Sequence, residues 1–561
     1  MKPILFAVAC CLPVAAQAAA PDPKLISIHP FIGQRGTTFT AAVRGRNLSG
    51  ATAIAAPDAP FSATIEDIKA LPDKTPTDLV TLRVTVNESA KPGRYPIRLV
   101  TRGGISSALP LQISDLPISL EPPGRHDQPE AAIAVPAFPA VYSGRLAVRG
   151  EADFYSFHAE AGQTLTFAVN SGFPQIAAGG SAATIPNFDP SLSIYEAGAS
   201  WFDPSRLKRI GYNDETVWVY GRVTDAHLVH SFEKAGEYLV RVEAFAGQGG
   251  PDYSYSLKIA PGAQPEDLAT PSSRNWDERI HTRKLETNRL NQLAVRGGKP
   301  ETQPAIETYR GAAQPVPFKL PGTIEGTLAA PGETHRARFR IDSPADIAIE
   351  IETSAAAPPF FNPIVRLLDA AGEEVATNVF AGRGACSGAL TKSLQAKTIV
   401  PLRNIGEYTV EVRDAAAELN TPAFRYRLQI RPQVPHVGDV RIDTDAVNLE
   451  PGAAKTIRVT FDREEDYRGA IAIAAESLPA GVSASVGADY EPDIDPPSTA
   501  GKRERYTPRT ERAVVVLSAS VDAAPTPVPI QIRLLVRPLA DGKLGASLLT
   551  KSLPLMVIAK P

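Results

Sequence analysis

Cysteine is almost missing from this chain. Three occur in 561 residues, and two of them, Cys10 and Cys11, fall in an apolar N-terminal leader, which leaves Cys386 alone. An exported chain with a single thiol has no internal disulfide, so its stability must come from ordinary packed cores. An excess of one charge sign is also lacking: 58 Lys and Arg face 61 Asp and Glu, a net charge of −3. Nucleic-acid binding needs a basic stripe, and none is expected here. Past the leader no apolar run approaches the ~20 residues of a spanning helix, so no transmembrane segment is expected either. Several catalytic signatures are missing too: the Gly-x-Ser-x-Gly elbow, His-Glu-x-x-His, a phosphate-binding Gly-rich lysine loop and Cys-x-x-Cys. Cys386 sits in a glycine-rich loop with no His-bearing partner motif, which suits a bystander thiol better than a nucleophile.

Proline is what the chain has in abundance. It holds 52 of them, nearly twice the usual share of ~5%. Proline neither continues a helix nor sits in a central strand, so this richness favours many short strands joined by proline-bearing turns. Residues 1–18 have a different origin. Lys2, the apolar stretch from Ile4 to Ala16, and the small-x-small site Ala16-Gln17-Ala18 form the pattern of a secretory signal peptide. The mature protein is therefore expected to be secreted or periplasmic.

The rest of the sequence alternates apolar and polar residues with the period of a half-buried strand. Leu165, Phe167 and Val169 share a face, as do Tyr238, Val240 and Val242, and Ile530, Ile532, Leu534 and Val536. The clearest runs are Tyr253 to Ile259 and Phe424 to Ile430. These two runs also repeat one another. Gly236-Glu237-Tyr238 returns as Gly406-Glu407-Tyr408, Asp189-Pro190 as Asn362-Pro363, and Tyr255 as Tyr426, at a nearly constant offset and in the same order. Two copies of one domain are implied. The expected fold is all-β, a string of four β-sandwich domains of Ig-like and jelly-roll-like type after the signal peptide. The segments are 19–116, 117–261, a polar linker at 262–317, 318–433 and 434–561.

The first copy carries Gly144-Arg145-Leu146, then Gly150 to Phe157, Ala161 to Leu165, Asp189 to Leu192, Asn213-Asp214-Glu215, Gly236-Glu237-Tyr238 and Tyr253-Ser254-Tyr255. In that order these residues resemble the bacterial pre-peptidase C-terminal (PPC) domain. The second copy keeps Gly322-Thr323-Ile324, Gly372 and the last two strands, but reads Gly332-Glu333-Thr334-His335-Arg336-Ala337-Arg338-Phe339 where the first has its Asp-x-Tyr-x-Phe element. Ile26 to Pro30, Gly33, Gly36 and Val43 to Leu48 resemble an IPT/TIG immunoglobulin-like domain. Leu478 to Val482 resemble bacterial Ig-like domains in a general way. The resemblance implies an exported modular protein, and it implies no reaction, because such modules serve many architectures.

It also implies one metal site. Some relatives hold Ca²⁺ between an acidic N-terminal segment and the acidic residues before the Tyr-x-Phe strand, which here would be Glu121, Asp127, Glu151 and Asp153. Calcium takes six to eight oxygen ligands. Four carboxylates therefore need carbonyls and water to complete a site; the other reading is that Asp153 orients a turn. His227 and His230 lie three apart on an expected strand, so they point to opposite faces and do not share an ion. Trp201, Phe202, Trp218 and Tyr220 cluster in one segment; exposed, they would stack on sugar rings or grip a peptide, and buried they are core. The acidic run Asp489 to Asp495 lacks the glycine and terminal glutamate of an EF-hand and reads as a solvated loop. Taken together, these features predict a non-catalytic exported protein that binds a protein or polysaccharide in an adhesion or substrate-targeting role. The alternative is an accessory subunit of a secreted hydrolase whose catalytic chain is separate. No cofactor is required in either case, with Ca²⁺ the one candidate.

Overall fold

A computed structural model describes residues 21–73, 75–171, 188–196, 207–214, 216–218, 221–223, 225–262, 306–308, 314–330, 332–353, 362–383, 390–415, 424–485, 487–489, 509–540, 543–544 and 549–559. The leader, Cys386, Trp201, Phe202 and Tyr220 lie outside them; Trp218 ends a short strand, Thr216–Trp218, and its side chain is also outside. The described residues form β-strands and short 3-10 turns, with no α-helix among them. None of their helices is long and apolar enough to cross a membrane.

Alternation builds these strands as expected. In Ser254–Pro261, Tyr255, Leu257 and Ile259 are fully buried, and in Thr164–Asn170 so are Leu165 and Phe167. The strands stack as pairs of sheets, each pair enclosing its own apolar cluster.

The repeat extends to every strand. In the first copy one sheet has the order Ile118–Leu120, Ala140–Arg145, Ser254–Pro261, Thr164–Asn170, His227–Ser231. Its partner sheet runs Ile133–Val135, Ala152–Ala159, Gly236–Ala244, Pro190–Glu196, Lys208–Asn213. The second copy repeats both orders. One sheet runs Ile306–Thr308, Gly322–Leu328, Phe424–Pro432, Ala345–Thr353, Lys397–Leu402, and the other Val316–Pro317, Thr334–Ile341, Gly406–Asp414, Pro363–Leu368, Glu374–Thr377. In both copies the first two strands pair in parallel with the next two. Two strands of the second copy thus fall within the stretch read as linker.

The first and last modules are also related. Residues 24–114 form the sheets Lys24–His29, Thr38–Arg46, Thr77–Val86, Phe61–Leu71 and Ile32–Gln34, Leu109–Ser114, Gly93–Thr101, Ala53–Ala55. Residues 436–557 form His436–Ile442, Ala454–Glu464, Arg509–Ala519, Val482–Ala484 and Val447–Leu449, Leu549–Val557, Ile530–Ala540, Ala470–Glu476, the last extended by Gly487–Asp489. Chain order and sheet order match strand for strand. The protein is therefore two halves with their modules in mirrored sequence, terminal sandwich then repeat, and repeat then terminal sandwich.

Each repeat packs on the terminal module of its own half. In the first half, Asp252 takes Arg44 Nε at 3.0 Å and the Ser27 hydroxyl, and Val141 joins the core of the N-terminal module. In the second half the joint is ionic and buried. Arg431 Nη2 meets Glu465 Oε1 at 2.6 Å and Glu350 Oε1 at 2.9 Å, and Lys397 Nζ reaches Glu350 and Glu465 at 2.8 Å and Glu464 at 3.4 Å.

Candidate functional site

Of the four acidic residues singled out in the first repeat, Glu121, Glu151 and Asp153 lie near enough for their charges to act on one another. Asp153 and Tyr155 are two apart on Ala152–Ala159 and so share a face, which turns inward. Tyr255 reaches them from the facing sheet. Its neighbour across the strand pair is Gly144, where a Cβ would collide with the Tyr255 ring, so glycine is what admits the tyrosine. Tyr255 Oη donates to Asp153 Oδ2 at 2.6 Å and lies 2.7 Å from Tyr155 Oη. Asp153 is therefore no turn residue. It is a fully buried strand carboxylate, and its Oδ1 has no hydrogen-bond partner.

Two more carboxylates approach it. Glu151 is buried and accepts from the Val148 amide at 2.8 Å, and half-buried Glu121 accepts from the Arg145 amide at 2.8 Å. Burial raises the pKa of Asp153 to about 7, with the negative charges of Glu121 and Glu151 adding to the effect against the Tyr255 hydrogen bond. Burial likewise raises Glu121. Burial, with the nearby negative charge of Asp153, pushes both tyrosine hydroxyls well above their ordinary value.

His126 enters the same group and was not singled out from the sequence. Its carbonyl accepts from the Phe154 amide at 2.8 Å, tying the 121–127 segment to the strand. Nδ1 faces the Ala131 carbonyl at 2.9 Å and Nε2 the Pro122 carbonyl at 3.0 Å. Only an imidazolium donates from both nitrogens. Burial opposes that charge, but the two carbonyls and the carboxylates of Glu121 and Asp153 outweigh it and raise the pKa. Asp127, by contrast, turns to Arg125.

As a calcium site the set fits by charge and falls short in ligands. Three carboxylates share one neighbourhood, and one buried oxygen is unsatisfied, which is what a hard cation would relieve. Among the described residues, however, no group of three or more His, Cys, Asp or Glu stands at metal-holding spacing.

The second repeat shows what the same scaffold does with different chemistry. Strand pairing sets Asp153 opposite Val242 and His335 opposite Val412, so His335 occupies the Asp153 position. Glu333 takes the place of Glu151 and accepts from the amides of Ala329 and Ala330 at 2.6 and 3.0 Å. Tyr426 takes the place of Tyr255, over Gly326. His335 Nε2 lies 2.9 Å from Glu333 Oε1 and its Nδ1 2.8 Å from Tyr426 Oη. An imidazole between a carboxylate and a phenol compensates itself, whereas a carboxylate in that position does not. Burial lowers the His335 pKa against the pull of Glu333. The paired readings Gly150-Glu151-Ala152-Asp153 and Gly332-Glu333-Thr334-His335 were the signal that could have found this exchange.

His227 and His230 stand on His227–Ser231 opposite Ala168 and Leu165. His227 is buried, and His230 packs edge-on against Phe232 with ring centroids 4.8 Å apart. The aromatic set at 201–220 falls outside the described side chains.

No protein-family model matches this sequence, and no curated protein does. Among solved structures, the chain is similar to the pre-peptidase C-terminal domain of a collagenase from Bacillus anthracis, at 13% identity over 24% of this chain and 100% of that one, with a TM-score of 0.14. It is also similar to a periplasmic inhibitor of g-type lysozyme from Aeromonas hydrophila, at 20% identity over 23% of this chain and 97% of that one, with a TM-score of 0.15. Domains 1–6 of the surface-layer protein SbsC align with 97% of this chain, which spans 55% of that structure, at 10% identity and a TM-score of 0.16.

Proposed function

We propose that this is an exported, non-catalytic binding protein whose first repeat takes Ca²⁺ at Glu121, Glu151 and Asp153. The observation that carries the calcium reading is the unpartnered, fully buried Oδ1 of Asp153 beside two further carboxylates. The three carboxylates do not stand at metal-holding spacing as they are, so binding would have to draw them together, with backbone carbonyls and water completing the six to eight ligands. The binding role is supported by how the buried polar groups are used. The Tyr155 and Tyr255 hydroxyls are engaged with each other and with Asp153 inside the sandwich. His335 is enclosed between Glu333 and Tyr426. These groups secure the sandwich interiors, which leaves recognition to the surfaces the modules display.

Thermal unfolding in EDTA and in millimolar CaCl₂ tests the site, because a ligand of the native state raises the melting temperature. A rise in the wild type that is lost in Asp153→Asn is expected; no rise in the wild type removes calcium. The non-catalytic reading is tested separately by incubation with protein and polysaccharide substrates. Hydrolysis that one point substitution in this chain abolishes would overturn it.

A further inference from the structure

The mirrored order of modules brings the first and the last into contact. Gly104–Ile105, a two-residue strand of the first module, lies against Val447–Leu449 and Leu549–Val557 of the last. Val100 and Ile105 from one side and Ala446, Met556 and Ile558 from the other form a single buried apolar cluster. At its edge Asn448 behaves as a strand partner. Its Oδ1 accepts from the Ile105 amide at 2.8 Å, and its Nδ2 donates to the Ile105 carbonyl at 3.0 Å and to Asp22 at 3.1 Å. Gly104 makes room for it: its φ of +109° disfavours other residues, and a Cβ there would overlap the Asn448 amide. Around this core, Asp445 accepts from the Ala108 amide at 2.7 Å and from Arg98 at 3.1 Å, and Lys455 pairs with Asp22 at 2.6 Å.

This is the anatomy of a specific protein interface, a buried apolar centre with a matched polar rim. It joins the two halves of one polypeptide, and every residue named lies outside 263–305. We infer that residues 21–262 and 306–559 are two partners that recognise each other through this clasp and remain one body when the connection between them is cut. Covalent linkage then serves to raise the effective concentration of one half for the other, not to hold them.

The test uses the full chain, folded first and cut afterwards at a site-specific protease sequence inserted between Thr287 and Asn288. Size-exclusion chromatography at about 10 μM is expected to show both fragments in one peak at the mass of the uncut protein. Separate peaks under native conditions overturn the inference. Asn448→Ala leaves the Ile105 amide and carbonyl unpaired and is expected to weaken association of the cut halves about tenfold or more. Cut Asn448→Ala protein that associates as tightly as the wild type overturns the assignment to this clasp. An uncut protein of twice the chain mass that falls to the mass of one chain on cutting would place the contact between chains and overturn the intramolecular reading. Circular dichroism of uncut Asn448→Ala confirms that its modules are folded before the comparison is made.

Discussion

Asp153 and His335 occupy one position in two copies of a scaffold and meet opposite electrostatic outcomes. The folded pKa of Asp153, about 7, lies above its ordinary value of 3.8. Folding therefore favours the protonated form, and stability falls as pH rises from about 4 to about 7 and stays low above that. The drop is on the order of a few kcal/mol. In EDTA, melting temperatures measured from pH 4 to pH 8 should decline for the wild type, and Asp153→Asn should remove most of that decline. Calcium at pH 8 should restore the wild type alone. The reverse exchange, His335→Asp, sets a second carboxylate where an imidazole now lies 2.9 Å from Glu333. It should destabilise the second repeat by about 2–4 kcal/mol at pH 7 and clearly less at pH 4, where one carboxyl is protonated. Urea unfolding at both pH values reads the difference. Equal loss at both would mean that His335 acts through shape and not through charge.

At the scale of elements, the sheets are held together by tyrosines that cross above a glycine, Tyr255 over Gly144 and Tyr426 over Gly326. Gly144→Ala and Gly326→Ala should each cost about 1–3 kcal/mol by overpacking, seen as a lower denaturation midpoint with unchanged slope. Most strands were legible because one face of each is buried: Tyr255, Leu257 and Ile259 announce their strand by period alone. The strands Ile306–Thr308 and Val316–Pro317 were not, since two or three residues are too few to show a period. The kinship of the terminal modules was also hidden, because it lies in strand order, which is set by pairing between distant residues and not by a motif. At the site, Glu121, Glu151 and Asp153 came from the family resemblance. The turn of Asp127 to Arg125 and the arrival of His126 depend on the path of an irregular segment, which no periodicity describes.

In the whole molecule the joint of the second half is made of buried charge. Glu465 is fully enclosed between Arg431 and Lys397. Burial works to raise its pKa, but the two cations lower it to about 2. Because the folded value is depressed, its contribution is present above about pH 4.5 and is lost as pH falls toward 2. Glu465→Gln should cost about 3 kcal/mol at pH 7 and flatten the acid side of the stability profile, as measured by calorimetry between pH 2 and pH 7. An unchanged acid limb would assign the acid sensitivity to other carboxylates.

The contact between Asp22 and Lys455, with Ile558 seated beside Ile105, brings residue 22 and residue 558 to the same patch of the molecule. A tug applied between those two points would travel across the patch and bypass both repeats. In an optical trap the first rupture should be a small one, the patch letting go, and only then would the sandwiches begin to carry load and unravel one after another.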